Sequence, residues 1–157
     1  MPDFNPVETL CGSTRFCFTR LVNDLDALTD EQAVTSPAPD TRTAADIVSE
    51  CARVNWHIGR ILRNAPPSEE ETASSREEMA ACSNSKQKAR QYLERETASL
   101  LEALQQIDPS RLGEQQKLWN REVSLFQAAQ LPAMHMFYHD GQLAYIQTFF
   151  GDQENHW

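Results

Sequence analysis

Asn5-Pro6-Val7-Glu8-Thr9-Leu10-Cys11-Gly12-Ser13-Thr14-Arg15-Phe16-Cys17-Phe18-Thr19-Arg20-Leu21-Val22-Asn23-Asp24-Leu25-Asp26-Ala27-Leu28 decides which kind of fold this chain can take. Asn5 is a strong N-cap, Pro6 suits the first helical position and Glu8 puts an acid in the first turn. Val7, Leu10, Cys11, Thr14, Cys17, Phe18, Leu21, Leu25 and Leu28 then recur at three- and four-residue spacing, which lines them along one helical face. The pattern predicts a core-facing helix of roughly 22 residues, ending near Asp30, before Pro37-Ala38-Pro39.

The same signals recur downstream. Thr43-Ala44-Ala45-Asp46 reads as a capping box, and Ile47, Cys51, Val54, Ile58, Ile61 and Leu62 form a stripe that stops at Asn64-Ala65-Pro66-Pro67. Glu50 and His57 sit beside that stripe. The segment from Pro66 to Ser75, with its acidic run Glu69-Glu70-Glu71, reads as a solvated loop. A third helix is expected from Ser75 to about Ile107, with Met79, Cys82, Ala89, Tyr92, Leu93, Leu100, Leu101 and Leu104 inward, stopped by Asp108-Pro109. Residues 110–120 are irregular. A last helix runs from Val123 to Phe150, with Pro132 expected to kink or restart it. Four long amphipathic helices without a strand signal imply an all-α, antiparallel four-helix bundle, with residues 1–157 as one domain.

Composition narrows the function. A chain of 157 residues can bury one core without staples, and 40% hydrophobic with 24% charged residues is the balance of a soluble globular protein. A net charge of −9 and a pI near 4.8, without a basic cluster, argue against nucleic acid. No leader and no membrane-length apolar run are evident, so a cytoplasmic protein is expected. Cys11, Cys17, Cys51 and Cys82 lack Cys-x-x-Cys spacing and read as small apolar packing residues.

The chemistry concentrates in Met134-His135-Met136-Phe137-Tyr138-His139-Asp140-Gly141-Gln142-Leu143. His135 and His139 are four residues apart, one turn along the same face, so both rings can reach one metal ion. Gln142, Ile146 and Phe149 extend that face, and a polar cluster on a core-facing stripe is costly unless it is paired, coordinated or open to a cleft. A third ligand can come from Glu50 or His57, which share a face but lie two turns, roughly 10 Å, apart. Gln142 can orient a ligand from one turn beyond His139. Tyr138 reads as a packing aromatic; Trp56 and Trp119 suit a pocket, a core or a dimer interface. No phosphate loop, nucleophile elbow or His-Glu-x-x-His motif is present.

Tyr138-His139-Asp140-Gly141-Gln142-Leu143-Ala144-Tyr145-Ile146-Gln147-Thr148-Phe149-Phe150-Gly151-Asp152 resembles the last helix of DinB-like proteins, where His-x-x-x-His is followed by x-Gly-Gln. Thr43-Ala44-Ala45-Asp46-Ile47-Val48-Ser49-Glu50-Cys51-Ala52 is similar to that family's second helix. The resemblance implies a four-helix bundle holding a divalent metal, zinc or nickel with iron as a further option, through two histidines of helix four and one of helix two. The last falls on Glu50 here, and Asp140 stands where the family often has a basic residue. Alignment selects Glu50 as the third ligand, whereas ligand preference alone selects His57. The resemblance further implies a small-molecule substrate and a low-molecular-weight thiol, hence a thiol S-transferase acting on small electrophiles, with a metal-dependent hydrolase or a non-catalytic stress or accessory bundle as alternatives. A homodimer is compatible with it.

Overall fold

The computed structural model describes residues 4–156. The opening Met1-Pro2-Asp3, part of the stretch read as free of a leader, lies outside them, as does Trp157. The fold is all-α, built on four long helices with two short ones between them. Helix α1 (Pro6–Ala27) begins as the sequence implies, with the Asn5 side chain accepting hydrogen bonds from the Val7 and Glu8 amides. One extra turn, α2 (Asp30–Val34), follows under a Thr29/Gln32 capping box. Helix α3 (Ala44–Leu62) opens on the expected Thr43/Asp46 box and buries 13 of its 19 residues.

Four departures follow. The stretch read as a solvated loop is largely helical: α4 (Glu69–Cys82) starts on a Ser68/Glu71 capping box, and Glu69-Glu70-Glu71 form its first turn, where acids meet the positive helix end. Helix α4 fully buries only Ser75 and is tied to α3 by Arg60–Glu71 at 2.7 Å. It ends at Cys82, so the expected single helix is two, the second being α5 (Lys86–Gln105), capped by Ser85. Residues 110–120 and their neighbours are not featureless either: a 3-10 turn (Pro109–Gly113) leads to a hairpin of β1 (Gln115–Leu118) and β2 (Arg121–Ser124). Trp119 takes φ 54° at the hairpin's turn. Finally, α6 (Leu125–Phe149) runs unbroken through Pro132.

Side-chain register gives the topology. Asn55 pairs with Thr97, Gly59 abuts Leu100, and Arg63 pairs with Glu102, so α3 and α5 run in the same direction. Arg20 pairs with Asp140 and the Asp24 carbonyl with Gln147, so α1 and α6 also run together. Between these pairs the direction reverses: Glu50 faces His139 while Asn55 faces Met136, and Asp26 at the end of α1 meets Arg90 at the start of α5. The core divides into two apolar clusters. Between them Asn55 Nδ2 donates to Thr97 Oγ1 at 2.9 Å and approaches Met136 Sδ at 3.5 Å.

A second buried polar group joins α1 to α6. Arg20 Nε and Nη2 both donate to Asp140 Oδ2, at 3.0 and 2.8 Å. Burial, then a hydrogen bond to Asp140 and repulsion from it, push the neighbouring Asp24 up to about 6. That is above the value of about 3.9 in an unfolded chain. Ionising Asp24 therefore costs the folded state stability as the pH rises from about 4 through 6. Asp24→Asn keeps a donor toward Asp140 and should raise thermal stability at pH 8 by on the order of 1–3 kcal/mol, with no gain at pH 4. Thermal melts at the two pH values check this.

Candidate metal centre

The antiparallel crossing of α3 and α6 sets the site. His135 and His139 stand one turn apart on α6, and their Nε2 atoms approach to 3.2 Å with the rings edge to face. The Nδ1 of His139 lies 2.6 Å from Gln142 Oε1, an acceptor only, so Nδ1 carries the proton and Nε2 offers its lone pair inward. The Gln142 amide is itself fixed, donating to the Tyr138 hydroxyl at 3.3 Å. Burial pushes His135 down to about 4, assisted by repulsion from His139. Burial also lowers His139, against the raising effects of Gln142 and Glu50. Both imidazoles are thus neutral near pH 7, the form that ligates a metal.

Helix α3 brings two candidate ligands to this pair. Glu50 Oε2 lies 3.6 Å from His139 Nε2 and is held from the other side by Arg42. Cys51, one residue on, places its Sγ within 4.8 Å of the ligand nitrogens of both histidines. Its thiol is fully buried and pushed up by burial, with Glu50 adding to the effect, so it is protonated unless an ion displaces the proton. His57 is elsewhere: its ring stacks on Trp119 at 5.7 Å, in a cleft with Ile61, Asn64 and Lys117 near the hairpin. Cys51 was hard to single out in the sequence, because a cysteine on an apolar stripe gives the same signal whether it packs or ligates. Its one pointer was that it follows Glu50 directly.

Two imidazole nitrogens each about 2.1 Å from one tetrahedral ion lie roughly 3.4 Å apart. The observed 3.2 Å is close to that separation, so the buried Cys51, His135 and His139 cluster could hold a metal ion. Beside it a cleft of about 420 Å³ is lined by Arg42, Gln142, Ile47, Tyr145, Ile146 and Phe149 among others. Arg42 and Gln142 thus belong both to the cleft and to the surroundings of the imidazoles.

The chain matches the DinB superfamily over residues 14–143. It belongs to that superfamily. Among solved structures, a conserved protein from Enterococcus faecalis is 18% identical, with a TM-score of 0.72 over 92% of this chain and 97% of that one. A mutant of a mycothiol-dependent maleylpyruvate isomerase in which a histidine is replaced by alanine is 14% identical, with a TM-score of 0.73 over 88% of this chain. The DinB-like chain spans 61% of that enzyme's length. At such identities the likeness is one of fold. No curated protein matches the chain. Among the described residues no helix is long and apolar enough to cross a membrane.

The geometry leads to two expectations. Elemental analysis of purified protein should find about one divalent ion per chain, lost when His135 and His139 are both replaced by alanine. Gln142→Leu should weaken binding by roughly 10- to 100-fold without unfolding the bundle, because it frees the His139 ring without removing a ligand. Wild-type metal content in the double mutant would refute the site.

Proposed function

We propose that this chain is a cytoplasmic, metal-dependent thiol S-transferase in which His135, His139 and Glu50 hold one divalent ion, zinc or nickel, and a small electrophile meets a low-molecular-weight thiol in the adjacent cleft. The observation that carries the reading is the approach of Glu50 Oε2 to His139 Nε2 at 3.6 Å, where His139 Nε2 also meets His135 Nε2 at 3.2 Å, beside an open cleft. Two histidines and a carboxylate also suit iron. A divalent ion bound there with three protein ligands would supply Lewis acidity at an open position, favouring the thiolate form of a bound thiol.

The chain's own groups do the rest. His135 and His139 offer lone pairs at neutral pH, and Gln142 holds His139 in the tautomer that makes this possible. Arg42 at the rim balances Glu50 and presents a guanidinium to the cleft, where a carboxylate of the thiol or of the electrophile can pair with it. The apolar walls, Ile47, Ile146 and Phe149, displace water that would compete with the thiol. In the transfer the thiol S–H bond breaks and its proton passes to solvent, the sulfur bonds to the electrophilic carbon as that carbon's bond to its leaving group breaks, and the leaving group departs through the open cleft with the bonding pair. The thiol dependence named for the isomerase of similar fold supports a thiol over water, which would make the protein a hydrolase.

Cys51 supports a second reading. If Cys51 and Glu50 both bind, four protein ligands close the site, and the protein is a non-catalytic metal bundle. Calorimetric titration with zinc separates the cases. Glu50→Gln should weaken binding by at least about tenfold, Cys51→Ser should change it little, and His57→Ala should leave it at the wild-type level. A large loss with Cys51→Ser would favour the closed, inert site, and a loss with His57→Ala would remove Glu50 from its assigned role. For activity, thiol consumption against a panel of small electrophiles should require the ion and fall with His139→Ala. Chelation should leave helical circular dichroism intact, since the two apolar clusters of the core are built from side chains other than His135, His139 and Glu50.

A further inference from the structure

The hairpin carries residues that the metal centre does not use. Its loop is Trp119-Asn120, closed by the pair Leu118 and Arg121. Two-residue loops with a positive φ at the first position call for glycine there. Trp119 holds that position at φ 54°, in the left-handed region where bulky side chains are disfavoured. Its indole stacks on the His57 ring, and among the described residues no second ring covers it, so the residue stays 54% exposed. Packing alone gives no reason for a tryptophan on such backbone.

A cleft of about 420 Å³ opens beside the indole. Strand alternation turns Leu118, Arg121 and Val123 to one face of the ribbon, and Gln127 and Leu131, four residues apart, share a face of α6. The cleft lies between those two faces, with Trp119 on its wall. Its floor is fixed, because Leu118 belongs to the second apolar cluster and Val123 and Leu131 pack against it. The polar groups it offers are donors. Arg121 makes no ion pair among the described residues, and Glu122 faces Lys117 across the ribbon on the opposite side. Gln127 Oε1 accepts from the Ser124 amide and hydroxyl, which leaves its N–H groups to donate. We propose that this cleft is a second ligand site, taking a planar aromatic ring that bears a carboxylate: the ring lies against Trp119, Val123 and Leu131, and the carboxylate pairs with Arg121 and accepts from Gln127. The volume suits a small molecule. A protein partner would engage about 20–30 residues a side, against seven lining this cleft. None of the seven lines the cleft beside the imidazoles, so the site does not depend on the transfer proposed there.

Calorimetric titration with β-naphthoate should show binding that weakens as salt rises. The neutral β-naphthamide, which lacks the charge, and cyclohexanecarboxylate, which lacks the flat ring, should each bind at least about tenfold more weakly. Arg121→Gln should weaken β-naphthoate by at least about tenfold. Trp119→Gly is the sharper variant: glycine suits φ 54°, so the melting temperature should hold while the affinity falls at least about tenfold. Trp119→Phe, which keeps a ring, should restore most of the affinity. Arg42→Gln, in the cleft beside the imidazoles, should leave it unchanged. Should the glycine variant unfold, the Arg121→Gln comparison decides alone. Absence of binding at millimolar β-naphthoate overturns the proposal. So does equal affinity for β-naphthamide, or a loss with Arg42→Gln in place of Arg121→Gln.

Discussion

The contact between α3 and α6 governs both the stability and the chemistry of this molecule. Helix α3 is packed on α5 along one side and on α6 along another, and it buries most of its length. Its antiparallel passage across α6 fixes which residues meet. Asn55 falls level with Met136 and Thr97, and one turn up, Glu50 and Cys51 fall level with His139. A slip of one residue along α3 would leave the Asn55 amide among leucines and take the carboxylate away from the imidazoles. The polar layer that separates the two apolar clusters therefore also positions the candidate site, because an unpaired buried amide costs more than the pairing itself supplies.

The cluster at the crossing is assembled from groups whose burial is tolerable only together. Two imidazoles are forced neutral by desolvation, and a partner amide fixes the tautomer of one of them. A carboxylate beside them is balanced by Arg42. A thiol is held protonated in the apolar interior. Each is costly alone, and each is a metal ligand in the form the fold imposes or after loss of one proton. The ligand atoms are set by the helices; the open side is set by the connection that carries Pro37 to Arg42.

Much of this was legible in the sequence. The stripe from Val7 to Leu28, the Thr43/Asp46 box and the i, i+4 histidines are local signals, and local signals survive without tertiary information. The first half of helix α4 escaped because its stability comes from a cap at Ser68 and a tether at Glu71, while the larger apolar side chains, Met79 and Cys82, lie in its second half. The hairpin escaped because its four-residue strands bury only Leu118 fully, too short a run for alternation to register. The choice between Glu50 and His57 was open for a different reason. Both share a face of α3, and which one reaches the level of His139 depends on the axial offset between two helices far apart in sequence. The position of Cys51 in the cluster depends on the same offset.

The parallel alignment of α3 and α5 has a consequence for how the chain is wired. Two neighbouring helices that point the same way can be joined only by a segment that travels back along the bundle, and the 14 residues of α4 cover about 21 Å of that return. Helix α4 is thus a return stroke, not a wall of the core. It contributes little buried surface, so its opening free energy is small compared with that of α3 or α5. The molecule contains a cooperative block of four helices and an outrigger that can unfasten and refasten while the block stays shut. Proteases and amide exchange would meet that outrigger first, and inserted sequence would be tolerated there best.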